Sequence, residues 1–101
     1  MEIEIKEDAD VVTITVNGDI KEETIRNFKH NLFEISHTTN KNIDFNLSNV
    51  NYIDSSGLGI LISLMKFQNK KGKNLNIKKV SPNVLNVLKL SSLSDVLGYS
   101  G

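Results

Sequence analysis

The chain has no cysteine, which excludes disulfides, thiolate zinc sites and cysteine nucleophiles together. It has no excess charge of either sign. Twelve basic and twelve acidic residues cancel, so no net field draws it to nucleic acid or to a membrane surface. No apolar run approaches the roughly 20 residues needed to span a bilayer, and no opening basic-then-apolar segment reads as a signal peptide. Proline occurs once, at position 82. Hydrophobic residues make up 39%, a slightly lean share that suits a sheet with one face left in water. The 101 residues suffice for one domain, 1–101, with a single core. The expectation from these absences is a soluble, cytoplasmic, one-domain protein.

The apolar residues that are present follow two periods. Ile3 and Ile5 alternate with Glu2, Glu4 and Lys6, giving a strand with one dry face. Asp8-Ala9-Asp10 reads as a turn, and Val12, Ile14 and Val16 then alternate with Thr13, Thr15 and Asn17. So short a connection predicts an antiparallel hairpin. After Gly18-Asp19 the period changes. From Glu22 a helix is predicted with Ile25, Phe28, Leu32 and Ile35 on one stripe and Phe33 at its edge. Ser36 to Asn40 reads as a loop. Ile43, Phe45 and Leu47 make a third strand, and Leu75 and Ile77 a fourth. Between them lies a helix beginning around Ser55 or Ser56, with Leu58, Leu61, Met65 and Gln68 on one side. Ile60, Ile62, Leu64 and Phe67 widen its apolar arc, so neighbours should cover it on more than one side. Asn69-Lys70-Lys71-Gly72 closes it with cations and a glycine terminator. Ser81-Pro82 is an N-cap followed by proline at the first helical position. Val84, Leu85 and Leu88 make that last helix amphipathic, and a turn over 93–97 ends the fold. Strands alternating with helices point to parallel pairs. The predicted fold class is α/β: a four-stranded mixed sheet with helices packed mainly on one face. Ile14, Val16, Phe45, Leu47, Leu61, Met65, Ile77 and Leu88 are expected in its core.

One stretch stands apart from this packing logic. Asp54-Ser55-Ser56-Gly57-Leu58-Gly59 sits between the third strand and the apolar helix. Asp and Ser are the residues a helix N-cap favours, because their side-chain oxygens accept from otherwise orphaned N–H groups. Gly57 and Gly59 are expected to leave the first turn bare, so that another molecule can approach. Two hydroxyls are thereby held at the positive end of a helix dipole. Capping alone does not require two serines and two glycines. The run is not a dinucleotide loop, since the third glycine position is Ile62. Nor is it a nucleophile elbow, which would need glycine at Asp54 and Leu58 around Ser56. His30 and His37 have no third ligand candidate beside them and read as surface residues. Lys70, Lys71 and Lys73 read as a solvated helix end. No acid–base pair, metal cluster or activated nucleophile emerges, so the sequence is not read as an enzyme, and no cofactor is implied.

Leu47-Ser48-Asn49-Val50-Asn51-Tyr52-Ile53-Asp54-Ser55-Ser56-Gly57-Leu58-Gly59 resembles the STAS domains, and within them the bacterial anti-sigma factor antagonists. The Val16-Asn17-Gly18-Asp19-Ile20 exit from the second strand, the Ile43 to Leu47 strand, Pro82 opening a helix and the Leu88-Lys89-Leu90-Ser91 run that ends it also fit. The resemblance covers essentially the whole chain. It implies a partner switch: the unphosphorylated protein binds a serine-kinase anti-sigma factor and releases its sigma factor. Phosphorylation of the first serine of the motif, here Ser55, inactivates it, and a serine phosphatase restores it. Asp54, Ser56, Gly57 and Leu58 would flank the phosphosite, and Gly18, Asp19 and Lys21 would face the partner. Lys21 departs from the pattern, since relatives often carry an acidic or short polar residue there. The resemblance further implies no direct contact with nucleic acid, no membrane insertion and a monomer when free. A different class of function is a STAS regulatory or scaffolding subunit of a transporter or signalling complex that never cycles through phosphorylation. Such a subunit has no need of a hydroxyl at Ser55.

Overall fold

The computed structural model describes residues 1–90. Two strands open it, β1 (Glu2–Glu7) and β2 (Val11–Asn17), paired antiparallel with Ile3 opposite Val16 and Ile5 opposite Ile14. Asp8 holds the turn between them: its Oδ1 accepts from the N–H groups of Asp10 and Val11, both at 2.9 Å. Strands β3 (Asn42–Asn49) and β4 (Leu75–Val80) add in parallel, giving the order β1-β2-β3-β4. Helices α1 (Glu22–Ile25) and α2 (Lys29–Thr38) follow β2, α3 (Ser55–Lys70) follows β3, and α4 (Pro82–Leu90) follows β4. This is the mixed α/β sheet that the alternation of periods predicts. Val12, Ile14, Val16, Ile43, Phe45, Leu47, Leu75 and Ile77 are buried beneath the helices. Their alternates Thr13, Thr15, Asp44 and Asn46 stay partly open to solvent, so the helices cover one face. The expected turn over 93–97 lies outside the described residues.

The structure corrects the sequence reading at several places. The helix predicted to run on from Glu22 is two helices. It breaks at Arg26, Asn27 and Phe28, where the Phe28 N–H donates to the Ile25 carbonyl at 3.0 Å, a tighter turn than an α-helix makes. The break lets Ile25 and Leu32 both reach the core, at 6% and 2% exposure. The expected loop from Ser36 to Asn40 begins later, because α2 continues to Thr38. What holds its last turn is tertiary. Ser36 Oγ donates to Gln68 Oε1 at 3.0 Å, and Gln68 Nε2 donates to the carbonyls of Lys41 at 3.0 Å and Asn74 at 3.3 Å. Gln68, on the side of α3 that otherwise carries Leu58 and Leu61, is thus buried with both ends of its amide satisfied.

Lys71 is likewise not a merely solvated cation. Its ammonium donates to the Ser36 and Thr39 carbonyls and lies 5.3 Å from the centre of the Phe67 ring. Desolvation there lowers its pKa, with Lys73 adding to the shift. His37 stacks on the same ring at 5.1 Å. Ile5 is 49% exposed and not part of a dry face, because β1 is the sheet edge. Met65 is half-buried. It packs against the core from one flank of α3, whose buried line is Gly57, Leu61, Leu64 and Gln68. The other seven expected core residues are buried.

Candidate functional site

The site is built where the chain leaves β2 and β3 side by side. Gly18 takes φ +105, a conformation that side-chain-bearing residues rarely adopt, and a Cβ there would lie 3.2 Å from the Met1 Cα. Past this turn the two loops zip together. Gly18 N donates to the Asn49 carbonyl at 3.2 Å, Ile20 N to the Tyr52 carbonyl at 2.8 Å, and Asp54 N to the Ile20 carbonyl at 3.0 Å. Ile20 and Ile53 form a single parallel bridge. Their side chains and that of Val50 are buried and anchor both loops. On the far side Ser81 Oγ donates to the Val50 carbonyl, and the Val84 N–H donates to the same hydroxyl at 3.3 Å. The expected Ser81-Pro82 cap of α4 therefore also pins the loop that leads to α3.

Asp54 is the N-cap of α3, in extended conformation, and Ser55 is the first helical residue. Its Oδ1 accepts from Gly57 N at 2.9 Å and its Oδ2 from Glu22 N at 3.0 Å. One carboxylate thus caps α3 and holds the start of α1. The Gly57 N–H and, more weakly, the Glu22 N–H favour its ionised form and lower its pKa. Lys21 precedes α1: its N–H donates to Thr24 Oγ1 at 3.0 Å, and that hydroxyl donates to the Asp19 carbonyl at 2.7 Å. The Lys21 ammonium lies 3.6 Å from the Glu23 carboxylate, in solvent.

The eight residues singled out from the sequence therefore lie on two adjoining segments, Gly18, Asp19 and Lys21 on one and Asp54 to Leu58 on the other. Their exposure differs. Ser55 and Ser56 are exposed and Leu58 is half-buried against the core. Gly57 corrects the expectation of a bare first turn, because it faces inward. A Cβ there would meet Ile20 Cγ2 at 2.6 Å, Ile53 Cγ1 at 2.9 Å and the Ile20 carbonyl at 3.0 Å. Glycine is required for the loops to close on each other. Gly59 is the open one, with nothing within 4 Å of a Cβ. Sequence reasoning missed the pairing role of Ile20, since a one-residue bridge leaves no periodic trace. It also missed Tyr52, which is 52% exposed on the same loop.

Two hydroxyls at the mouth of α3 stand on a rigid, hydrogen-bonded base. His30 and His37 are on α2 and contribute nothing to this base; His30 pairs with Glu34 at 3.3 Å. Among the described residues no group of three His, Cys, Asp or Glu could hold a metal ion. No helix among them is long and apolar enough to cross a membrane. The arrangement is suited to offering a serine to another protein.

Comparison with known proteins agrees with the fold. The STAS domain family matches residues 2–100. An anti-sigma-B factor antagonist of Staphylococcus epidermidis is 28% identical over 88 residues, 87% of this chain and 82% of that protein. A crystal structure of a Thermotoga maritima protein described as a putative anti-sigma factor antagonist superposes with a TM-score of 0.85. It is 28% identical, over 95% of this chain and 83% of that one. The anti-sigma factor antagonist SpoIIAA shares the fold in its unphosphorylated form, with a TM-score of 0.80 at 18% identity over 93% of this chain and 84% of that one. A Bacillus SpoIIAA in the phosphorylated form shares it too, with a TM-score of 0.73 at 17% identity over 93% and 86%. The chain belongs to the STAS domain family, and within it is similar to the anti-sigma factor antagonists.

Proposed function

We propose that this protein is an anti-sigma factor antagonist: unphosphorylated, it binds a serine-kinase anti-sigma factor and so releases the sigma factor. Phosphorylation of Ser55 inactivates it and a serine phosphatase restores it. One observation carries the reading. Ser55 is exposed at the first position of α3, and the Asp54 beside it ties that turn to the start of α1, next to Lys21. The segments that the family resemblance assigns to partner binding are thereby one hydrogen-bonded surface.

The chemistry of the switch follows from the same geometry. A phosphate adds about −1.5 to −2 charges at Ser55. The helix N-terminus favours it by roughly 0.3–1 kcal/mol at an exposed site. The ionised Asp54 opposes it in solvent by about 1 kcal/mol per charge pair at close range, roughly 1.5–2 kcal/mol in all. The net cost within the free protein is on the order of 1 kcal/mol, small beside the stability of a domain, so the fold is kept. Against a partner packed on Ser55 the cost is larger, because the phosphate must be desolvated where there is no room for it. The switch acts by blocking an interface, not by refolding a domain. The fold shared with both forms of SpoIIAA is consistent with this.

The test is incubation with ATP and each kinase-type anti-sigma factor of the same genome, followed by mass spectrometry of the digested protein. Phosphate on Ser55 is the expected result. Phosphate on Ser56 would shift the assignment by one residue. No phosphate with any of the kinases would leave the scaffolding function in its place.

A further inference from the structure

Between α1 and α3, on the flank of the serine turn, lies a groove of about 220 Å³ lined by Glu22, Ile25, Arg26, Lys29, Ser56 and Ile60. Its apolar part is Ile25 and Ile60. Two cations, Arg26 and Lys29, stand against one carboxylate, and among the described residues neither cation forms an ion pair. Lys29 is also in the wrong place for α2. It is that helix's first residue, a positive charge at the positive end of the dipole. The first turn of α2 contains no acid, and its N-cap residue Phe28 offers no side-chain hydrogen bond. A local rule broken without compensation inside the fold points to a role outside it. The neighbouring surface of α3 is bare: Ser55, Ser56, Gly59 and Ser63 are exposed, and nothing stands within 4 Å of a Cβ at Gly59.

We infer that this groove docks a segment of the partner kinase that bears an apolar side chain flanked by Asp or Glu. The apolar side chain seats over Ile25 and Ile60, and the acid pairs with Arg26 and Lys29. The inference rests on the partner-switch reading above and adds to it what the partner must look like. Charge complementarity selects the acidic segment. Continuity selects the kinase, because Ser56 belongs to the groove and its neighbour Ser55 is the modified residue, so anything seated here lies against the switch. A phosphate on Ser55 then repels the same acidic segment that the two cations attract.

The experiment is a calorimetric titration of the full chain with those purified kinase-type anti-sigma factors of the same genome that bind it unmodified. The variants are Arg26→Glu with Lys29→Glu, its milder counterpart Arg26→Gln with Lys29→Gln, and Gly59→Leu. The acidic pair should weaken binding by about tenfold or more and the amide pair by less, with both flattening the salt dependence between about 50 and about 300 mM. Gly59→Leu should weaken binding as strongly by crowding the bare face of α3. All three should melt close to wild type: in the acidic pair the gain of Lys29→Glu at the start of α2 offsets the loss of Arg26→Glu at the C-cap of α1, and Gly59→Leu improves helix propensity. Binding within about twofold of wild type by the acidic pair, with an unchanged salt slope, overturns the groove. Ser55→Asp, titrated in parallel, judges the switch separately. If it loses binding while the groove variants keep theirs, the docking inference fails and the switch stands. If no kinase binds the unmodified chain, both fail.

Discussion

A single methyl group placed on Gly57 tests how the two loops are locked together. In Gly57→Ala the new Cβ would lie 2.6 Å from Ile20 Cγ2, 2.9 Å from Ile53 Cγ1 and 3.0 Å from the Ile20 carbonyl oxygen. The isoleucine side chains can give by rotation, but the carbonyl is backbone and accepts the Asp54 N–H bond at 3.0 Å. Relief therefore means prising the Ile20–Ile53 bridge apart. Overpacking of this kind costs about 1–3 kcal/mol, while replacing glycine by alanine in a helix returns up to about 1 kcal/mol. The net expectation is a loss of about 1–2 kcal/mol, or roughly 4–8 °C in melting temperature for each kcal/mol. Gly59→Ala, two residues on, meets nothing and should instead stabilise by up to about 1 kcal/mol. Urea unfolding followed by far-UV circular dichroism measures both. Opposite signs at the two glycines are the prediction. A neutral or stabilising Gly57→Ala would refute the packing described for the site.

Phe45, 1% exposed at the centre of the sheet face, should cost about 3–5 kcal/mol when replaced by alanine; a loss below about 1 kcal/mol would contradict the register of β3. Asp54→Ala removes the α3 cap and the tie to Glu22, and urea unfolding at neutral pH should show a loss of about 0.5–2 kcal/mol. Because the Gly57 and Glu22 N–H groups depress the folded pKa below 3.8, the contribution of this carboxylate is complete above that value and is lost as pH falls through the folded pKa. The stability gap between wild type and variant should accordingly narrow in acid, and a gap independent of pH would mean that the carboxylate does not make these bonds. Lys21→Asp should leave stability within about 0.5 kcal/mol, since its pairing with Glu23 is solvent-exposed. It should change the association rate with the kinase at low salt and less so at high salt; unchanged rates at low salt would remove Lys21 from the interface.

Wherever one residue's neighbours along the chain decide its environment, the sequence was enough. The alternation in β2 and β3, the Ser81-Pro82 start of α4 and the Asp54 cap all rest on local patterns, and all stand in the structure. The failures share a different cause. Helix α2 runs through Ser36 because Gln68, 32 residues away, accepts its hydroxyl, and no local signal announces so distant a partner. Lys71 reads as a solvated cation until α2 brings two carbonyls to it. Gly57 was legible as important but not for the right reason. A glycine that bares a surface and one that admits a buried isoleucine look alike in sequence, and only the Ile20–Ile53 bridge tells them apart.

On the partner-switch proposal, charge at Ser55 blocks a surface without disturbing the fold beneath it. The most direct measurement is a binding titration of a kinase-type anti-sigma factor with Ser55→Asp and with wild type, matched by their circular dichroism spectra. Binding abolished or greatly weakened in the variant, with superimposable spectra, is the expected result. Wild-type affinity in the variant, or lost binding that comes with a changed spectrum, would contradict it.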